Sequence, residues 1–271
     1  MIPMSEVMNS TMNELQSTTG NEKINIDAAV SALNLDVDID SLDDLEVHNI
    51  VYAYKRHLQC SVCTGKVPAC AVPYKCTVSV ENGQVKVTET KCILKAAWDI
   101  MRNSGVPVRY LGKRIKDFNF TAQNRLAIHS AVDCIESGKS LYLNGAVRTG
   151  KTLLCCCICN ERAYIGKRSL FVTVTDLMDD LYNFSDNFQR NEALARYKRV
   201  GCLVIDDLGA EYATDFSAAT LFSIIDFRYK NELQTIINSN FDLDALANHL
   251  RGYQGDRICR RINDLCKVIR I

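Results

Sequence analysis

The chain has 271 residues, zero formal net charge, 47% apolar and 24% charged residues, which excludes a collagenous or wholly disordered protein and leaves room for one large domain or a core domain with a small appendage. No apolar run approaches the ~18–20 residues that a membrane span needs, and no basic flank precedes an apolar core at the amino terminus, so the expected compartment is the cytoplasm. Thirteen cysteines, an odd number without a secretory signal, read as thiols or metal ligands rather than a disulfide scaffold.

Residues 1–56 read as an acidic, partly disordered region. Residues 1–22 are rich in Ser, Thr, Asn and Met without periodicity, and from Ile24 to about Tyr54 apolar and acidic residues interleave, which predicts one or two short amphipathic helices. Residues 1–50 hold ten acids against a single base, Lys23, so the remainder holds 31 bases against 22 acids. An acidic head on a basic body fits a body that meets a polyanion; it also fits a solvated tail that keeps the protein soluble.

Residues 57–95 read as a Cys-rich module. His57, Cys60, Cys63, Cys70, Cys76 and Cys92 gather there among turn residues. Cys60-Ser61-Val62-Cys63 is a C-x-x-C knuckle, and two thiolates at that spacing hold one tetrahedral Zn²⁺ when two later ligands close the site. Spacing leaves the second pair open among Cys70, Cys76, Cys92 and His57. Metal binding would supply on the order of 10 kcal/mol of folding energy to so small a segment. The alternative is redox chemistry or plain thiols. A helix is expected from Ile93 to about Asn103, stopped by Ser104-Gly105-Val106-Pro107.

From about Asn119 onward, apolar strands alternate with helical stretches, the pattern of an α/β fold; residues 96–271 are the expected main domain. Ser140 to Asn144 reads as a buried strand and Leu153 to about Ala163 as a helix, with Leu153, Leu154, Cys157 and Ile158 on one side. Between them Gly145-Ala146-Val147-Arg148-Thr149-Gly150-Lys151-Thr152 fits the phosphate-loop pattern G-x-x-x-x-G-K-[ST]. Loop amides and a helix start cradle phosphate oxygens; Lys151 would bridge the β- and γ-phosphates and Thr152 would hold Mg²⁺. Arg148 stands where many such loops carry glycine. It would either strain the loop and weaken nucleotide binding or add a charge near the phosphates. Cys155, Cys156, Cys157 and Cys159 crowd the helix behind the loop, where cysteine is most simply a small packing residue.

Val200 to Asp207 is an apolar strand that ends in two acids, a Walker B element. It would bring Asp206 to the Mg²⁺ and leave Asp207 to position or deprotonate the attacking water. Leu233 to Asn240 is a further strand with a polar end, and Asn240 could orient that water; a simple turn is the alternative.

In this order, the sequence resembles the AAA+ ATPases of the DnaC/DnaI replicative helicase-loader and IstB-like group from about Cys60 onward. The matching pieces are Arg102 to Pro107 with Tyr110, Asp117-Phe118, the phosphate loop, Leu170 to Leu177, Leu203 to Glu211, Arg228-Tyr229 and Thr235 to Asn240. The resemblance implies a parallel sheet sandwiched by helices, Asn240 as sensor 1, and an arginine finger within Gly255 to Ile262, where Arg261 fits best and Arg257 second. Such a finger acts in a neighbouring subunit, so a homo-oligomer on ATP binding is implied. With the last strand expected at Lys267 to Ile271, no helical lid domain is expected. Relatives carry a cysteine just before the helix that leads to Ser-Gly-x-Pro, which favours Cys92; Cys76, the choice here, or Cys70 would complete the four. Loaders of this type also carry a paired-helix insert, here Asp176 to Lys198, that touches single-stranded DNA. Tyr182, Phe184, Phe188, Arg190, Arg196, Tyr197, Lys198 and Arg199 could stack on bases and track phosphates. The implied activity is a slow, switch-like ATPase that binds single-stranded DNA and a replicative helicase. An IstB-like transposition helper and a nucleotide-gated adapter with little hydrolysis are the alternatives.

Overall fold

A computed structural model describes residues 25–61, 74–81, 84–183, 186–210, 214–250 and 252–271. The chain forms two compact units, one drawn from residues 1–63 and 74–90, the other from 64–73 and 91–271.

The first unit contains α1 (Ile26–Ala32), α2 (Asp44–Ser61) and a hairpin of β1 (Tyr74–Glu81) and β2 (Gln84–Lys91). Ala29, Val30, Ile50 and Val85 form its small core, with Leu33, Leu42, Tyr54 and Val78 around them. Two of the acids have structural work. Asp43 and Glu46 form a reciprocal cap at the start of α2, each side chain accepting the other's backbone N–H, and Glu46 also accepts the backbone N–H of Val85 at 3.0 Å. The boundary expected at residues 56–57 falls inside α2, and the stretch expected to be turn-rich holds the hairpin instead. Helix and hairpin share one core because Val78 and Val85 need a partner surface that a two-stranded ribbon lacks.

The second unit is a five-stranded parallel sheet, β3 (Ser140–Asn144), β4 (Leu170–Thr173), β5 (Cys202–Asp206), β6 (Gln234–Ser239) and β7 (Cys266–Arg270), in the order β4-β5-β6-β3-β7. Helices cover both faces, so its strands read as continuous apolar runs rather than alternating ones. Tyr142, Leu203, Ile205 and Ile237 face α6 (Val174–Tyr182), α8 (Asp215–Lys230) and α10 (Gly252–Leu265). Leu141, Leu143, Val204 and Ile236 face α4 (Arg125–Ser137) and α5 (Lys151–Tyr164). Cys155, Cys156, Cys157 and Cys159 are buried in this second layer, and burial pushes their thiols well above the ordinary range. They are packing residues. The helix expected from Ile93 is α3 (Ile93–Arg102), and α7 (Asn187–Arg199) follows α6 as the expected helix pair; α9 (Leu243–His249) completes the set.

One polar knot closes the lower side of this unit. Arg228 on α8 is fully buried. It donates to Thr235 Oγ1 at 2.9 Å and to the carbonyls of Tyr197, Lys198 and Val200 at 3.1, 3.1 and 2.8 Å, and also to the carbonyl of Gln234. The cation thus ends α7, where free carbonyls carry partial negative charge, and ties it to β6.

Candidate nucleotide-binding site

Parallel pairing aligns the carboxyl ends of the strands. Asn144 lies opposite Ser239 and Arg270, and Thr173 lies opposite Asp206. Loops that leave those ends converge, the place where open parallel sheets bind ligands. The loop 145–150 leaves β3 and runs into α5, whose first residue is Lys151. Two glycines are sterically required. A Cβ at Gly145 would collide with the backbone carbonyl of Ile271, and one at Gly150 (φ +95°) would press on the Phe118 ring. Arg148 has φ +69°, so the loop does demand the left-handed conformation there, which costs a side-chain-bearing residue about 1 kcal/mol. Ala146, Val147 and Arg148 are exposed, while Thr149 is half-buried and donates to the Ala146 carbonyl at 3.0 Å.

The Lys151 ammonium lies against the carbonyls of Gly145 and Ala146, each at 2.8 Å, and Asn240 Oδ1 at 3.0 Å. Burial lowers its pKa, against the opposing pull of Asp207 and Asp206. Asp206, at the end of β5, is buried. Burial pushes its carboxyl up to about 6, and Asp207 adds to the rise; hydrogen bonds from Asn238 and Thr152 and the Lys151 charge oppose it. Lys151, Thr152, Asp206, Asp207 and Asn240 are therefore brought together. A hydroxyl beside two carboxylates and a buried ammonium is a donor set that fits a hydrated Mg²⁺ with a nucleotide phosphate chain.

Asn238 completes this arrangement and is not legible from the motifs. It is fully buried; its Nδ2 donates to Asp206 Oδ1 and its Oδ1 accepts the Asp207 backbone N–H at 2.9 Å. Its own carbonyl accepts the Leu208 N–H at 2.9 Å. Asp207 has φ +56°, and these bonds hold it in that left-handed turn. The available signal was an amide directly after the apolar pair Ile236-Ile237; the structure sets it in register with Leu143.

Other expected residues stand elsewhere. Arg261 donates to Asp226 Oδ1 at 3.0 Å and stacks over Tyr229 at 4.6 Å; Arg257 lies over Phe222 at 3.8 Å. Both pack on α8. Tyr182 and Phe188 are exposed, 68% and 67%, and Arg196 and Arg199 are exposed too. Tyr197 is a correction to the stacking set: it is buried, with its hydroxyl donating to Asp180, because its position on α7 turns it to the core. Phe184 lies outside the described residues. So do Cys63 and Cys70 of the zinc set. Cys76 is buried with its thiol toward Glu89 at 3.7 Å, Cys60 lies one residue before the end of α2, and Cys92 sits at the start of α3. Among the described residues no three His, Cys, Asp or Glu side chains converge as a metal site, so these donors alone do not fit a tetrahedral zinc. Among them, too, no helix is long and apolar enough to cross a membrane.

Known proteins share this architecture. Replicative helicase loader DnaI of Bacillus subtilis (strain 168) is 28% identical over 214 residues, 73% of this chain and 66% of that protein. Replicative helicase loader DnaC of Escherichia coli (strain K12) is 28% identical over 125 residues, 45% of this chain and 49% of that protein. The chain thus spans about half of one of these relatives and just under two-thirds of the other. The crystal structure of DnaI superposes with a TM-score of 0.56 at 32% identity, covering 60% of this chain and 93% of that one. Residues 99–271, well over half of the sequence, match the family described as IstB-like ATP binding protein, and the chain belongs to that family.

Proposed function

We propose that the protein is an ATP-dependent loader of a replicative DNA helicase, acting in the cytoplasm as a slow ATPase whose nucleotide state works as a switch. The observation that carries this reading is the convergence of Lys151, Thr152, Asp206, Asp207 and Asn240 on the phosphate loop. The similarity to two proteins named replicative helicase loaders supports the partner.

The loop amides and Lys151 would hold the phosphates, and Thr152 and Asp206 would hold Mg²⁺. When bound, the metal supplies neutralisation of phosphate charge. Asp207, fixed by Asn238, would accept a proton from the attacking water, and Asn240 would orient that water once Lys151 turns to the phosphates. Arg261 would complete the site of a second copy after leaving Asp226. Tyr182 and Phe188 offer faces on which bases of single-stranded DNA could stack, with Arg196, Lys198 and Arg199 near the phosphates. The Cys60-x-x-Cys63 knuckle would supply two thiolates to zinc; about one zinc per chain by elemental analysis is expected, lost in Cys60→Ser/Cys63→Ser.

The test of the main reading is ATP turnover with and without single-stranded DNA, in the wild type and Asp207→Asn, followed by helicase pull-down. Turnover that DNA modulates and that falls at least about 100-fold in Asp207→Asn is expected. Nucleotide binding without turnover would favour a nucleotide-gated adapter. The matching family favours a second reading, an IstB-like transposition helper; recovery of a transposase and no helicase would select it.

A further inference from the structure

We propose that Arg148 is a nucleotide-binding residue, its guanidinium gripping the phosphate chain as a cation additional to Lys151. This rests on the reading of the loop as a nucleotide site. Three observations meet at this position. First, the backbone at 148 is left-handed, φ +69°, a conformation that glycine adopts freely and arginine does not. Second, among the described residues no side-chain contact offsets that strain. The side chain is exposed and, among the described residues, enters no hydrogen bond or ion pair. Asp207, the other left-handed non-glycine residue of the site, is by contrast fastened through its N–H to Asn238. Third, the charge balance of the site is short of cations. Lys151 faces both Asp206 and Asp207, so one ammonium stands against two carboxylates before a polyphosphate arrives.

A guanidinium suits that deficit. It is charged at every relevant pH, and its planar fork of five donors matches phosphate oxygens two at a time. It sits two residues before Gly150, on the rim of a cradle of backbone amides that already selects anions. The strain is therefore the sort that persists at a ligand clamp, offset only when the ligand is held. The ligand class is a nucleoside di- or triphosphate.

The experiment uses the full chain as wild type, Arg148→Gly and Arg148→Lys. Thermal melting is recorded without nucleotide, and binding of MgATP, MgADP and a single-stranded oligonucleotide is measured by titration. Arg148→Gly should melt about 2–4 °C higher without nucleotide, because the strain is gone, yet bind MgATP about tenfold more weakly. Arg148→Lys keeps the strain and the charge, so its melting point should stay at the wild-type value while its affinity falls only part of the way. Because the glycine variant folds better rather than worse, a loss of affinity cannot be put down to misfolding. Equal or tighter MgATP binding by Arg148→Gly would overturn the proposal and make the arginine a plain source of strain. Loss confined to the oligonucleotide would also overturn it and assign the arginine to nucleic-acid phosphates. A wild type that binds no nucleotide at all would refute the nucleotide-site reading itself, a result distinct from wild-type binding that Arg148→Gly leaves intact.

Discussion

Arg228→Met should lower the unfolding free energy by about 3–5 kcal/mol, the largest stability loss expected from a single substitution in this chain. Methionine matches the length of the arginine stem, so packing is nearly kept, but four backbone carbonyls and the Thr235 hydroxyl lose their donor in a buried place. No carboxylate partners this arginine among those contacts. Its charge rests on carbonyl dipoles, chiefly those that close α7. Burial lowers its pKa to about 10, so it stays protonated throughout the neutral range. Urea denaturation at pH 7 measures the effect; Arg228→Lys should recover only part of it, since an ammonium has three donors for five acceptors. A loss under about 1 kcal/mol would mean that water replaces the guanidinium and that the knot is not structural.

Asp206→Asn should move stability and function in opposite directions. The folded carboxyl is raised to about 6 from an ordinary value of 3.8. Its folded pKa lies above its unfolded one, so between those values the folded state holds a proton that the unfolded chain releases. Stability from this group is therefore highest below 3.8 and falls as pH rises toward 6. Above 6 the buried charge is a standing cost of about 2–3 kcal/mol, which the amide removes while still accepting from Asn238. The variant should thus unfold at higher urea concentration at pH 7, with little difference at pH 4. It should also lose Mg²⁺-dependent nucleotide affinity, because the amide cannot supply an anionic ligand. For the wild type, that affinity should weaken about tenfold per pH unit below 6, an inflection that the variant lacks. Paired titrations with Mg²⁺ and with EDTA read it directly.

Much of this site lies on the surface of the sequence because its parts are local. A phosphate loop is eight consecutive residues, and an apolar run that ends in Asp206-Asp207 states both its strand and its chemistry. Asn238 escapes the same reading because its partners are 31 and 32 positions away; only the β5–β6 register brings them together. Arg228 escapes for a related reason: nothing local distinguishes a cation that caps a helix ending 29 residues earlier from one that faces water. The hairpin is a different failure. Valines at 78, 80, 85 and 87 alternate on either side of Asn82-Gly83, a strong hairpin signal, but the cysteines of the same segment invite a metal reading that hides it. For Arg148 the sequence carried the oddity and the backbone supplied its meaning, since only φ says whether the position tolerates a side chain.

The strand order has a consequence for synthesis. β3, which carries the phosphate loop, is the first strand of its sheet to be made, yet its two neighbours are the last two, β6 and β7. Asn144 and the loop after it gain their flanking backbone only when Ser239 and Arg270 have left the ribosome. Until then a glycine-rich loop and an apolar strand stand without lateral partners, and closing those contacts spans about 95 residues of chain to β6 and about 126 to β7, the slow and exposed sort of pairing. A nascent chain therefore cannot bind nucleotide early; competence arrives late and all at once, as a property of the finished sheet.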